Sequence, residues 1–133
     1  MAAGLPTEGT NATRPRAGDL ARRDVPTCYL YDRLGDVAQQ VRAAGWDACV
    51  VVNAERVVLG LLRARELAQD PNLRIEQAMR PGPSTFRPFV AVETVAKVMA
   101  EHGRESVPIT TSDGRLVGLV TRADAAAASM GDA

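Results

Sequence analysis

Residues 118–124 read Gly-Leu-Val-Thr-Arg-Ala-Asp, and residues 60–66, 58 positions earlier, read Gly-Leu-Leu-Arg-Ala-Arg-Glu. Each segment runs from the end of an apolar, strand-like stretch into the start of a helix. At the same offset the helix-ending glycines Gly45 and Gly103 align, as do the apolar faces of the helices before them, and no gap is needed. This agreement in a single register indicates an internal repeat.

Hydrophobic patterning predicts the same order of elements in both copies, strand–helix–strand–strand–helix. In the first copy the predicted elements are a strand at 27–31, a helix at 34–45, strands at 48–52 and 57–62, and a helix at 64–69. In the second copy they are a strand at 85–90, a helix at 92–103, strands at 107–110 and 116–120, and a helix at 122–129. Polar turns at 53–56 and 112–115 make each strand pair a hairpin, and 75–79 is expected to form one helical turn.

The chain of 133 residues has room for one compact domain or for two very small ones in contact. A repeat this short buries too little apolar surface alone, so we expect the two copies to pack against each other. The predicted organisation is a mobile tail at 1–19, a first repeat at 20–72, a connector at 73–82, a second repeat at 83–127 and a C-terminal tail at 128–133.

Composition argues against several classes of function. The 16 basic and 16 acidic residues give a net charge of zero, which makes nucleic-acid binding unlikely, since that usually requires a basic excess. No apolar stretch is long enough for a membrane span or a signal peptide, so a cytoplasmic protein is expected. Cys28 and Cys49 are then expected to be reduced core residues. With His102 as the one histidine, neither a four-ligand zinc site nor a catalytic triad is expected, and we predict no enzyme activity.

The segment 118–124 admits two interpretations. In the first, Thr121 and Asp124 form a capping box, in which the hydroxyl accepts from the N–H of residue 124 and the carboxylate accepts from the N–H of residue 121. In the second, the helix start binds a phosphate or a sugar, and the carboxylate accepts hydrogen bonds from a ribose diol. The repeat favours the second interpretation, because Arg63 and Glu66 stand at the equivalent positions and a purely structural cap would tend to recur.

The repeat length, the element order and the ending Gly-apolar-x-Thr-x-x-Asp resemble a pair of cystathionine β-synthase (CBS) domains, known as a Bateman module. Residues 107–109, Val-Pro-Ile, also fit the apolar-Pro-apolar strand of that family. The match is complete in the second copy and partial in the first, which lacks both the hydroxyl and the aspartate. The resemblance implies an α/β fold of two tandem CBS repeats with pseudo-twofold symmetry and two clefts between them.

Members of this family commonly bind AMP, ADP, ATP or S-adenosylmethionine in these clefts. The resemblance implies that the first cleft would be formed by Val120, Thr121 and Asp124 of one copy with Val25, Pro26, Thr27, Trp46, Asp47 and Ala48 of the other. Asp124 would hold the ribose hydroxyls and Thr121 would lie near the ribose or the α-phosphate. Backbone groups around Thr27 would contact the adenine edge, and Trp46 would stack on the base.

The second cleft would be formed by Arg63 and Glu66 with Pro83, Ser84, Thr85, Arg104 and Glu105. Glu66 can still accept from a diol, whereas Arg63 adds bulk and charge where a small hydroxyl is expected. We expect this weaker cleft to be empty, or Arg63 to reach toward phosphates in the first.

The resemblance therefore implies a non-catalytic sensor of an adenosine-containing ligand, with no bound cofactor. Isolated modules of this family often pair into homodimers, and the apolar helix faces 34–45 and 92–103 are expected to supply that contact. We expect no attached effector domain, so the module would act on a separate effector protein or buffer its ligand. The alternative is a ligand-free structural or dimerisation module in which Thr121 and Asp124 serve as caps.

Overall fold

The computed structural model describes residues 15–131. Its helices are α1 (Ala17–Leu20), α2 (Leu34–Ala43), α3 (Ala64–Leu67), α4 (Ile75–Ala78), α5 (Val92–His102) and α6 (Arg122–Gly131). Its strands are β1 (Thr27–Cys28), β2 (Cys49–Val52), β3 (Val58–Leu62), β4 (Arg80–Pro81), β5 (Ser106–Thr110) and β6 (Leu116–Thr121). This is the predicted mixed fold of two repeats. None of the helices in the described range is long and apolar enough to cross a membrane.

The two sheets have the same plan, and each takes one edge from the segment that precedes the other repeat. In the first sheet β1 pairs in parallel with β2, β2 forms a hairpin with β3, and β4 pairs antiparallel with β3. The second sheet contains the hairpin of β5 and β6. Single bridges extend this hairpin at the equivalent places, Phe86 with Ile109 in parallel and Arg22 with Leu119 antiparallel. Residue 22 thus belongs to the sheet of the second repeat.

The repeat extends further toward the N-terminus than predicted. Helix α1 lies 58 residues before α4 and falls within the segment expected to be a mobile tail. Ala17 is fully buried, its N–H donates to the Val90 carbonyl at 2.8 Å, and the N–H of Gly18 donates to Pro88 at 2.9 Å. The predicted tail is therefore too long, and residues 1–14 lie outside the described range. Helix α6 also continues to Gly131, beyond the predicted boundary at 127.

The strand predicted at 85–90 is absent from the structure, and the strand predicted at 27–31 is shorter. Pro88 has no N–H for a ladder, and only Phe86 pairs with β5. At Tyr29 the backbone N–H donates to the Asp32 carboxylate at 2.9 Å, and the chain turns toward α2. The pattern did predict extended, apolar residues, but local side-chain and proline effects ended both ladders early.

The core has one part in each repeat and one part between them. The two sheets pack against each other through a cluster of buried apolar residues, namely Val25, Ala48, Val50, Val52, Leu61, Leu116 and Leu119. The apolar faces of α2 and α5 are buried in the core of their own repeat; Leu34, Val41, Val95 and Met99 are at most 1% exposed. The expectation that these faces form a contact between two chains is therefore wrong, because the sheets of the same chain already cover them.

Gly118 allows residue 22 to approach β6. A Cβ atom at Gly118 would lie 2.8 Å from the Arg22 carbonyl oxygen and 2.9 Å from the Ala21 Cβ. Gly60 has the same role toward Met79 and the first residue of β4, because a Cβ atom at Gly60 would overlap the Met79 sulfur and lie 3.0 Å from the Arg80 carbonyl oxygen. Both glycines of the repeated motif are thus required by close backbone contacts.

We predict that Gly118→Ala lowers the free energy of unfolding by about 1–3 kcal/mol, because the added methyl group meets backbone that has no room to move. Gly103→Ala is the control, since its Cβ would meet open space and it carries only the cost of a left-handed conformation, about 1 kcal/mol. Urea unfolding measures both. Faster amide hydrogen exchange at Arg22 and Leu119 is expected in Gly118→Ala alone; equal exchange in both variants would contradict the proposed contact.

Candidate functional site

A cavity of about 600 Å³ lies between the two repeats, and we call it the central cavity. Its lining consists largely of equivalent residues of the two copies, namely Asp47 and Glu105, Ala48 and Ser106, Arg63 and Thr121, Ala64 and Arg122, and Arg65 and Ala123. The bridge between Val57 and Arg115, which are themselves equivalent, joins the two hairpins. The cavity therefore lies on the pseudo-twofold axis that relates the repeats, in a volume typical of small-molecule sites.

Asp124, the residue expected to hold a ribose, binds a guanidinium group. Arg22 Nε lies 2.7 Å from Asp124 Oδ2, and Arg22 Nη2 lies 3.1 Å from Oδ1. The guanidinium carbon also lies 5.9 Å from the centre of the Trp46 ring, which is within cation–π range. Arg22 therefore links the two side chains that were predicted to hold the sugar and the base. Sequence analysis missed Arg22, because its placement depends on the bridge to Leu119.

The caps of α3 and α6 differ in a way that bears on the two interpretations of Asp124. Thr121 Oγ1 accepts from the Asp124 N–H at 3.2 Å, which is one half of the predicted capping box. The other half is absent, because the Asp124 carboxylate is bound to Arg22. In the first repeat Glu66 Oε1 does accept from the Arg63 N–H, at 2.8 Å. The glutamate carboxylate binds the backbone N–H that starts its helix, whereas the aspartate carboxylate binds Arg22.

The structure gathers some of the predicted first-cleft residues around the central cavity and leaves others out. Asp47, Ala48 and Thr121 line it. Val25 and Val120 are core residues, at 6% and 1% exposure. The Pro26 carbonyl accepts from the Val50 N–H at 3.0 Å, and Thr27 pairs with β2 in the sheet. The roles given to these residues and to Trp46 in ligand binding remain predictions.

The second cleft is a smaller space of about 80 Å³ beside the central cavity. Arg63, Arg80, Ser84, Arg104 and Ser106 are in its lining, and Arg63 and Ser106 line the central cavity as well. Glu66 is 6% exposed and pairs with Arg63 at 3.3 Å, so it is not directed at a ligand. The Thr85 hydroxyl accepts from Arg87. Arg80 was missed by sequence analysis for the same reason as Arg22, its equivalent.

A family model described as CBS domain matches the chain twice, at residues 17–70 and 75–131. The chain belongs to the CBS domain family. This confirms the resemblance and the tandem arrangement, and the first match begins at the same residue as α1.

Three relatives of this chain are longer proteins. Inosine-5′-monophosphate dehydrogenase of Korarchaeum cryptofilum is 28% identical over 82% of this chain and 23% of its own length. The uncharacterized protein MK0525 of Methanopyrus kandleri is 28% identical over 80% and 59%. The magnesium transporter MgtE of Thermus thermophilus is 35% identical over 53% and 16%. The chain thus spans less than two thirds of each relative.

Solved structures share the fold. The cytosolic domain of the Mg²⁺ channel MgtE in complex with ATP matches with a TM-score of 0.78 and 27% identity, over 85% of this chain and 48% of that one. The CBS pair of protein MJ0100, in complex with 5′-methylthioadenosine and S-adenosyl-L-methionine, has a TM-score of 0.80 and 19% identity, over 90% and 99%. CBSX2 in complex with AMP has a TM-score of 0.79 and 17% identity, over 88% and 97%.

Charge, hydrogen bonding and burial shift the pKa values of three groups in this CBS pair, Asp124, Arg22 and Cys28. The hydrogen bond and the positive charge of Arg22 lower the pKa of Asp124, and Asp124 in turn raises the pKa of Arg22. Cys28 and Cys49 are buried free thiols with their sulfur atoms 3.3 Å apart. A hydrogen bond from the Cys49 thiol to the Cys28 sulfur, together with burial, raises the pKa of Cys28, so the Cys28 thiol is protonated and unreactive at neutral pH.

We predict that the Arg22–Asp124 pair stabilises the fold at neutral pH and stops doing so in acid. The folded-state pKa of Asp124 is below 3.8, its usual value, so the stabilisation is complete above that pH and is lost as the pH falls below it. Thermal unfolding between pH 7 and pH 2.5 measures this effect. The excess in melting temperature of the wild type over Asp124→Asn should be constant down to about pH 5 and shrink below pH 4. A constant excess at all these pH values would contradict the assignment.

Proposed function

We propose that this CBS pair is a regulatory module that binds an adenosine-containing ligand between its repeats, in contact with Asp124 and with Thr121, which lines the central cavity. CBS domain pairs are generally regulatory rather than catalytic. The observation that carries the proposal is the state of the Asp124 carboxylate. It is ionised, it is not used to cap its own helix, and its side chain is 28% exposed. A carboxylate of this kind can accept from both hydroxyls of a ribose.

Arg22 occupies this position in the structure. Its guanidinium presents two N–H donors to Asp124 and lies against Trp46, much as a ribose and a base would. A nucleoside bound to the same two side chains must displace Arg22. We propose that this exchange is the signal, because residue 22 is bonded to Leu119 at the interface of the repeats, with N···O distances of 2.8 and 3.1 Å in the two directions.

The relatives support the ligand class. The similar structures carry ATP, AMP, and 5′-methylthioadenosine with S-adenosyl-L-methionine, and an adenosine unit is common to all of them. The volume of the central cavity, about 600 Å³, also suits a ligand of that size. We propose that a separate effector protein, or a further part of a longer chain, responds to the change in packing.

Isothermal titration with adenosine, AMP, ADP, ATP and S-adenosylmethionine tests the site. We expect at least one of these compounds to bind saturably. The Asp124→Asn variant should bind that compound at least about tenfold more weakly, because a charged acceptor of two hydrogen bonds is lost. Arg22→Ala should instead tighten adenosine about two- to fivefold, because the competing ion pair is removed.

Asp36→Asn is the matched control for the first variant. Asp36 also pairs with an arginine, Arg33 at 3.1 Å, but it lies in the first turn of α2, whereas Asp124 lies in the first turn of α6 next to the cavity-lining residues Thr121–Ala123. The affinity of the Asp36→Asn variant for the ligand that binds should equal that of the wild type. If no compound binds, and Asp124→Asn changes only the melting temperature, the chain is a structural module in which Arg22 and Asp124 tie the N-terminal segment to α6.

We also propose a homodimer, now on a different surface. Tyr31 and Phe89 are equivalent residues just before α2 and α5, and their exposures are 73% and 70%. An exposed apolar side chain can form an isologous contact, in which the same patch of two copies meets across a twofold axis. We expect twice the chain mass in light scattering, and the double variant Tyr31→Ser, Phe89→Ser to reduce it to one chain without loss of helix content. A monomeric wild type would contradict this proposal.

A further inference from the structure

The second cleft has an arginine in place of the aromatic ring and another in place of the hydroxyl, and it keeps an arginine at the position equivalent to Arg22. Arg104 is the equivalent of Trp46, Arg63 is the equivalent of Thr121, and Arg80 is the equivalent of Arg22. The remaining element, the carboxylate of Glu66, is bound to the Arg63 N–H and side chain and to Arg65 at 3.8 Å. The second cleft therefore has no aromatic ring for a base and no free carboxylate for a ribose.

The charge of this cleft is one-sided. All three arginines line it, the hydroxyls of Ser84 and Ser106 can add hydrogen-bond donors, and its lining contains no carboxylate. In the described part of the chain, Arg63 Nη2 and Arg104 Nε are buried N–H groups that donate to no protein acceptor. Burying such a donor without an acceptor is unfavourable, and a ligand that supplies oxygen atoms would remove that cost.

The space also restricts the ligand. A volume of about 80 Å³ is sufficient for one tetrahedral oxyanion and insufficient for a nucleoside. Planar guanidinium groups bind phosphate oxygens in pairs, so three arginines around a small space form a geometry typical of a phosphoryl site.

We propose that the second cleft is an oxyanion site for a phosphoryl group, held by Arg63, Arg80 and Arg104. The group has two possible sources, free phosphate or the terminal phosphate of a nucleotide in the central cavity. Arg63 and Ser106 line both spaces, so a phosphate chain has a path from one to the other. The nucleotide source rests on the proposed function above; the free-phosphate source does not.

The test uses Arg80→Gln and Arg104→Gln, singly and together, with Arg33→Gln as the control. Arg80 is exposed and Arg104 half-buried, and Arg63 is left in place because it pairs with the buried Glu66. In the first arm, ³¹P NMR and calorimetry follow inorganic phosphate at constant ionic strength. Saturable binding is expected in the wild type and in Arg33→Gln, and at least about tenfold weaker binding in the double variant.

In the second arm the same variants are titrated with adenosine, AMP, ADP and ATP. If the phosphoryl group belongs to a nucleotide, the affinity of the wild type increases at the first compound of this series whose phosphate chain reaches the cleft. The double variant loses that increase, while its affinity for adenosine is unchanged. Phosphate binding that depends on the two arginines, without any binding of adenosine, supports the oxyanion site and refutes the nucleoside proposal. If neither inorganic phosphate nor any nucleotide loses affinity in the double variant, the oxyanion site is refuted, whatever happens to adenosine.

Discussion

The rest of the structure depends on one constraint that occurs twice, the backbone contact of Arg22 with Leu119 and the equivalent contact of Arg80 with Leu61. Each contact brings a segment that precedes one repeat onto the sheet of the other, and each requires a glycine on the partner strand. This exchange joins the two halves into one unit, although neither repeat is large enough to bury a full core by itself. It also places an arginine at the mouth of each cleft.

The pseudo-twofold symmetry explains why the two clefts can be compared residue by residue, and the comparison shows how far they have diverged. The first cleft keeps an aromatic ring, a hydroxyl and a carboxylate, with Arg22 bound across them. The second has an arginine in place of the ring and another in place of the hydroxyl, and its carboxylate caps α3. One scaffold thus offers two chemically different sets of side chains at equivalent positions of its two repeats.

Arg22 is connected to the central cavity by a short physical route. Arg22 is bonded through its backbone to Leu119, and Leu119 both packs in the core between the sheets and lines the central cavity. In the proposed function, a ligand that displaces Arg22 from Asp124 therefore acts on a residue at the interface of the repeats. Differential affinity for two packings of that interface is sufficient for regulation, and no moving domain is needed.

The sequence by itself determined the repeat, its register and the family, because hydrophobic period, glycine positions and the Thr-x-x-Asp motif are local signals that recur 58 residues apart. It also determined the helix ends at Gly45 and Gly103, both of which have positive φ. It did not reveal α1, whose burial rests on contacts with residues 88 and 90, or the loss of the strand at 85–90. Only the tertiary structure decided that Arg22 binds Asp124, because side-chain partners 102 residues apart are set by how the chain packs and not by local pattern.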